Sequence, residues 1–360
     1  MNESAAAASL ASRDVLAFCE EILKAAGVTD RVAAQTARGL WLTSMRGIDS
    51  HGIRLLPHYV AGIQGGRLNP DPDYTFKSSA PATGTLDADH TLGHAAGITA
   101  MGHAIKLASS AGIGVVTVFN SSHCGMLAYY ALQACRHRMM GLAVTHATAR
   151  LCSAGGVRPF FGNNPFCITA PMAGEDPFCY DGAQSSMTMN EVRRRAAVGE
   201  ELPPGAAADA SGQAVHDAGA AIQLLPIGDY KGFGLAMAVD LLCALLTEMP
   251  AGPDVSDMFA DDFAEPRRLG TVVGAVRIDA FVDPDEFEDR LGAMARRLRA
   301  EPARNPAHPI LVPGDPEKAI EARRQQDGIP IPGGDLESLL SLAAELGVDP
   351  PATFRSEPAT

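Results

Sequence analysis

Residues 114–125, Gly114-Val115-Val116-Thr117-Val118-Phe119-Asn120-Ser121-Ser122-His123-Cys124-Gly125, run from a β-branched segment straight into a polar turn that holds a histidine. β-branched side chains suit a pleated surface, and a glycine-bounded cluster of Asn and Ser ends it. Similar short runs recur at Leu142-Ala143-Val144-Thr145, at Phe166-Cys167-Ile168-Thr169 and from Thr271 to Ile278. Between them, His94 to Ala111 and Met126 to Arg138 read as helical. The stretch 81–305 is thus a sheet packed with helices. The fold class that follows is α/β (α+β).

Outward from this centre the period changes to that of amphipathic helices. Val15, Leu16, Cys19, Ile22, Leu23 and Ala26 recur at helical spacing behind a possible cap at Ser12, with Gly27 as a stop. A second helix is expected from Asp30 to Met45, with Ala33, Ala37, Leu40 and Trp41 inward, and a third from Leu55 to Gln64. At the other end, Asp315 to Gln326 and Leu336 to Leu346 are helical. The organisation expected is 1–80 helical, 81–305 as the α/β part, and 306–360 as helices packing on the first segment. Met1 to Ala8 reads as a lead-in outside the fold, and Pro250 to Pro266 as a surface loop.

With 360 residues, 46% hydrophobic and 20% charged, the chain is long and apolar enough for a large core. Its formal charge of −13 argues against a nucleic-acid partner, which needs clustered cations. Arg193-Arg194-Arg195 lies beside Glu191, Glu200 and Glu201 and reads as a solvated helix face. The seven cysteines form no Cys-x-x-Cys pair, the usage of reduced thiols. No apolar run is expected to reach a membrane span, since Leu235 to Leu246 carries Asp240 and stops before Glu248. A cytoplasmic location is expected.

Two histidine turns carry the chemistry: Asp49-Ser50-His51-Gly52-Ile53-Arg54 and the segment around His123. Imidazole changes charge nearest neutral pH, so either ring can move a proton. A single histidine beside glycine is more often a hydrogen-bonded turn residue, but Ser50 and Arg54 flank His51 with a hydroxyl and a carboxylate-fitting guanidinium. No Gly-x-Gly-x-x-Gly follows a strand and no Walker-type loop exists. The best anion site is Gly228-Asp229-Tyr230-Lys231-Gly232-Phe233-Gly234 at a helix start, where backbone N–H groups and a lysine meet; a tight entry to a buried helix is the plainer reading. The turn Tyr180-Asp181-Gly182-Ala183-Gln184-Ser185-Ser186 is a weaker candidate. No metal site is expected, because His90 and His94 form the one His-x-x-x-His pair and Gly93 interrupts it.

Five ordered motifs together resemble the malate/L-lactate dehydrogenase family of non-Rossmann type: Arg46 to Gly52, Asn120 to Gly125, Gly162-Asn163-Asn164-Pro165, Gly228 to Gly234, and Val312-Pro313-Gly314-Asp315. The family includes ureidoglycolate and sulfolactate dehydrogenases, 2,3-diketogulonate reductase and cyclic imine reductases. The resemblance implies a non-Rossmann NAD(P)-binding sheet domain, a helical domain from the two chain ends, and a homodimer. It implies hydride transfer between NAD or NADP and a small carboxylate, a 2-hydroxy or 2-oxo acid. His123 would be the acid/base, and His51 with Ser50 would polarise the carbonyl; the reverse assignment stays open. Arg54, Tyr59 and Asn163 would meet the substrate. The cofactor would lie on Thr148, Asp181, Gly182, Ala183, Gln184, Ser185, Tyr230, Lys231, Gly232, Pro313, Gly314 and Asp315.

Malate- and lactate-type members carry Gly-Lys and Gly-Trp pairs where this chain has Asn190-Glu191 and Gly205-Ala206. The segment from Glu191 to Pro203 is closer to the diketogulonate reductase branch, and its arginines could meet an adenosine 2′-phosphate. A cyclic imine reductase is the nearest alternative. A reading of another class is a ligand-binding relic that has lost turnover.

Overall fold

The computed structural model describes residues 8–260 and 262–354. The lead-in expected at 1–8 therefore lies outside the described residues, except for Ala8.

The N-terminal segment supplies strand β1 (Ala8–Leu10) and helices α1 (Ser12–Ala25), α2 (Asp30–Met45) and α3 (Leu56–Gln64). Ser12 does not cap α1; Ala11 holds that position, and the Ser12 hydroxyl accepts from the Trp41 ring at 2.9 Å. Trp41, expected inward, is only partly buried. Strands β2 (Thr75–Ala80) and β3 (Thr83–Asp87) lead to α4 (Gly93–Ala111), β4 (Ile113–Ser121), α5 (Ala128–Cys135) and β5 (Met139–Thr145). The helix expected over 126–138 is shortened to α5, between left-handed turns at Gly125 (φ 64°) and Arg138 (φ 55°).

Next come β6 (Leu151–Cys152), β7 (Pro159–Phe161), β8 (Phe166–Ala170), β9 (Phe178–Gly182), α6 (Met189–Val198), β10 (Ala207–Ala208), β11 (Ala214–Val215) and β12 (Gln223–Leu224). Then follow α7 (Tyr230–Cys243), β13 (Leu269–Arg277), α8 (Pro284–Arg299), α9 (Asp315–Asp327), β14 (Ile329–Ile331) and α10 (Gly333–Leu346).

The main sheet has seven strands in the order β2-β3-β4-β13-β5-β8-β9. Only β3 and β4 run parallel; every other neighbour pair in it is antiparallel. That mixed sheet explains the missing dinucleotide fingerprint, which belongs to parallel βαβ units. Along β4 the buried residues alternate, with Val116 and Val118 wholly covered beneath the alanine-rich face of α4. A small five-stranded sheet, β11-β10-β12-β6-β7, stands apart over its own core of Leu151, Leu202, Ala207 and Leu224. Its strands are mostly two residues long, and no periodicity announced them.

The two ends of the chain meet. β1 pairs antiparallel with β14, α10 packs on α1, and Leu339, Leu342 and Ala343 share a core with Val15, Ile22 and Leu40. One expectation about apolar runs is overturned: Tyr230–Thr247, α7 with the turn after it, is 18 residues long and apolar enough to span a membrane by length and composition. Its Asp240 is buried, accepting from Asn164 at 2.8 Å and from the Gly252 N–H at 2.8 Å, which ties the helix to the protein.

Candidate functional site

Strand β4 delivers His123 to its place. Asn120 takes a left-handed turn (φ 49°) and donates to Asp87 at 3.0 Å. Ser122 then donates to the Thr91 carbonyl and accepts from the Gly93 N–H, both at 2.9 Å, so the turn is clamped to the start of α4. The Tyr59 hydroxyl, from α3, lies 2.6 Å from His123 Nδ1. Behind them sits His94, wholly buried and edge-on to Tyr59 with ring centres 5.4 Å apart. Gly125 must lack a side chain here, since a Cβ would come within 2.5 Å of His94 Nε2.

His51 arrives from the other side on a single helical turn, Asp49–His51. Arg324 of α9 grips Asp49 at 2.8 Å, and the Ile53 N–H donates to Ser44 at 3.0 Å. Ser50 Oγ is 2.8 Å from His51 Nδ1, and the rings of His51 and His123 are 5.5 Å apart. In both histidines Nδ1 is occupied, which leaves Nε2 to meet a ligand.

Burial first, then the charges of His51, His94 and Arg267, holds His123 well below the usual histidine pKa of 6.5. His51 is lowered too, by burial and then Arg54. At neutral pH His123 is therefore the neutral ring, with a lone pair to offer.

A cleft of about 270 Å³ opens in front of both histidines. Thr148, Asn163, Asp181, Gly182 and Ala183 line it as the sequence suggested. So does Arg267, which the sequence did not single out. Its guanidinium is 6% exposed, donates to Thr148 at 2.9 Å and to the Ser256 carbonyl at 2.7 Å, and has no partner for Nε. Burial, then Arg67, lowers it to about 10, so it remains a cation. Arg193 also lines the cleft and makes no hydrogen bond or ion pair among the described residues, whereas Arg194 and Arg195 are taken up by Glu191 and Glu200. The solvated-face reading of the three arginines therefore holds for two of them. Asp257, Met258 and Phe259 close the rim, so the segment 250–266 is a wall of the cleft rather than a plain surface loop.

A second cavity of about 320 Å³ adjoins the first and shares Ile48, Met126 and Asp181 with it. Pro313 and Gly314 line it, with Arg46, Cys179, Tyr180 and Glu317. Asp315 is turned instead to Arg299 at 2.7 Å and to the Val312 N–H at 2.8 Å. Asp181, at the junction, accepts from the Ala128 N–H at 2.8 Å and is pushed up by burial to about 6.

Other sequence candidates fall outside these cavities. Arg54 is half exposed and 4.0 Å from Asp335. Gln184 and Ser185 are buried behind the wall, the Gln184 N–H donating to the Asn163 carbonyl at 2.7 Å. Tyr230 and Lys231 are exposed at the start of α7, and Gly232 is buried against the Ile227 carbonyl, where a Cβ would come within 2.5 Å. Among the described residues, no three His, Cys, Asp or Glu side chains gather as metal ligands.

The family model of malate/L-lactate dehydrogenases matches residues 10–340. A malate dehydrogenase of Pyrococcus abyssi is 30% identical over 93% of this chain and 94% of its own. The structure of sulfolactate dehydrogenase from Methanocaldococcus jannaschii superposes with a TM-score of 0.89 at 28% identity, covering 95% of this chain and 98% of that one. A delta1-piperideine-2-carboxylate reductase from Pseudomonas syringae superposes with a TM-score of 0.83 at 25% identity, over 93% and 99% of the two chains.

Proposed function

The chain belongs to the malate/L-lactate dehydrogenase family, and on that premise we propose that it is an NAD(P)-dependent oxidoreductase acting on the carbon next to a carboxylate, in a 2-hydroxy or 2-oxo acid. The observation that carries this reading is His123, held by the Tyr59 hydroxyl at 2.6 Å, in one cleft with Arg267, whose guanidinium is buried and makes no ion pair among the described residues.

The two adjoining cavities fit an extended dinucleotide. Gly314 lies so flat on β9 that a Cβ would be 3.1 Å from the Cys179 carbonyl, and Arg46 Nε is buried without a partner in the wall of the second cavity. When bound, the nicotinamide supplies the hydride acceptor or donor. The protein's part is positioning and proton transfer. Arg267 holds the substrate carboxylate, the role that the family resemblance implies for Arg54. His123 Nε2 takes the hydroxyl proton in the oxidative direction and returns it in the reductive one. His51, steadied by Ser50, donates to the same oxygen as charge develops on it.

Lys231 and Tyr230 line neither of the two cavities described above, but α7 and the turn after it present Leu235, Leu241, Leu245 and Leu246 to solvent. A second copy covering that face gives the homodimer, which light scattering behind size exclusion reads directly. An imine reductase remains the second reading, favoured by the likeness to the piperideine-2-carboxylate reductase.

The deciding measurement is absorbance at 340 nm with NADH and NADPH in parallel against pyruvate, oxaloacetate, diketogulonate and Δ1-piperideine-2-carboxylate. Oxidation dependent on a 2-oxo acid supports the proposal. Oxidation with the imine alone replaces it by the second reading, and no nucleotide binding at all supports the relic.

A further inference from the structure

The second cavity has an electrostatic character of its own. Arg46, the cation in its wall, pairs through Nη1 with Glu321 at 3.0 Å, and Lys318, one residue past the wall, turns outward to donate to the Asp176 carbonyl at 2.8 Å. Asp315 is neutralised by Arg299, which also holds Glu175 at 2.8 Å. Glu317, in the first turn of α9, is half-buried in the cavity wall and makes no hydrogen bond or ion pair among the described residues. A nicotinamide at His123 with its dinucleotide continuing past Ile48, Met126 and Asp181 places the adenosine ribose in this second cavity.

We propose that Glu317 selects the cofactor, favouring NAD(H) over NADP(H). A carboxylate accepts both O–H groups of a ribose 2′,3′-diol, and it opposes the dianionic phosphate that replaces one of them. Among the described residues the one cation lining that wall, Arg46, is already paired with Glu321. Arg193, which makes no ion pair among the described residues, lines the first cleft on the side of Asn190 and Leu224 and is not part of the second cavity. This inference rests on the dinucleotide reading above, so its test uses fragments of the adenosine end, whose binding is read without turnover.

Calorimetric titration of the full chain with ADP-ribose and with 2′-phospho-ADP-ribose is the experiment. The wild type is expected to bind ADP-ribose roughly 30-fold more tightly, the scale of hydrogen bonds to a charged group. Glu317→Gln should narrow that gap to about threefold, and Glu317→Arg should reverse it, with an unchanged thermal midpoint showing that each variant folds. Equal or tighter binding of the 2′-phosphate by the wild type overturns the proposal, as does a gap that Glu317→Gln leaves intact or that Arg193→Ala abolishes. If neither fragment binds the wild type, the dinucleotide reading itself falls.

Discussion

On one wall of the cleft His123 leans on Tyr59, which is 1% exposed, and His94 stands behind both with no exposure at all. On the facing wall Arg150 meets Asp257, each well over a quarter exposed, and Arg193 stands unpaired on α6 over a core made of two-residue strands. The first wall joins the two largest buried clusters and can hold a ring to the tolerance that proton transfer requires. The second wall is held by screened surface charge and can change with little cost to the fold. The proton-moving ring sits on the rigid side, and the side free to vary carries Arg193.

The largest effect should come from the rigid wall. His123→Ala is expected to lower kcat/KM about 1,000-fold, within the range for a lost acid/base, with an unchanged circular dichroism spectrum. Turnover that ignores both His123→Ala and His51→Ala would break the comparison at its root. Arg267→Met, which keeps the buried stem, should raise KM for the acid roughly 100-fold by removing a desolvated cation from a carboxylate. Arg54→Ala should change it by less than about twofold, and the reverse order would return the carboxylate to the first expectation.

The buried histidines make the rigid wall acid-sensitive. Burial lowers His94, behind His123 and Tyr59, to about 3, below the ordinary 6.5. The unfolded chain therefore takes up protons first as pH falls below 6.5, and stability drops by roughly 1.4 kcal/mol per pH unit for each such group until the folded pKa is reached. Thermal midpoints between pH 7 and 4.5 should show this slope, and His94→Gln should flatten it. A slope that His94→Gln leaves unchanged would show that this ring protonates as freely folded as unfolded. The smallest effect belongs to the adaptable wall: Arg193→Ala should alter KM about threefold and its salt dependence, without changing kcat.

What was legible in the sequence follows the same division. The helical ends, β4, β5, β8 and β13 announced themselves by period, because their buried faces repeat at 3.6 or 2 residues. The histidine turns could be seen because small polar residues and glycine isolate them. The small sheet could not, since two-residue strands carry no period. Arg267 was hidden in a run of Pro, Asp and Arg that looks like solvent-facing loop; only its burial marks it. Lys231 looked like a phosphate ligand because a glycine-rich helix entry and an anion site share one pattern, and within a single chain Gly232 serves the packing.

The pairing of β1 with β14 has a reach beyond the termini. β14 ends α9, the helix whose Arg324 grips the His51 turn, whose Glu321 holds Arg46, and whose first turn carries Glu317. The first strand thus props, through β14, the helix that holds the His51 turn, so trimming a dozen residues from the front would be felt where the reaction takes place.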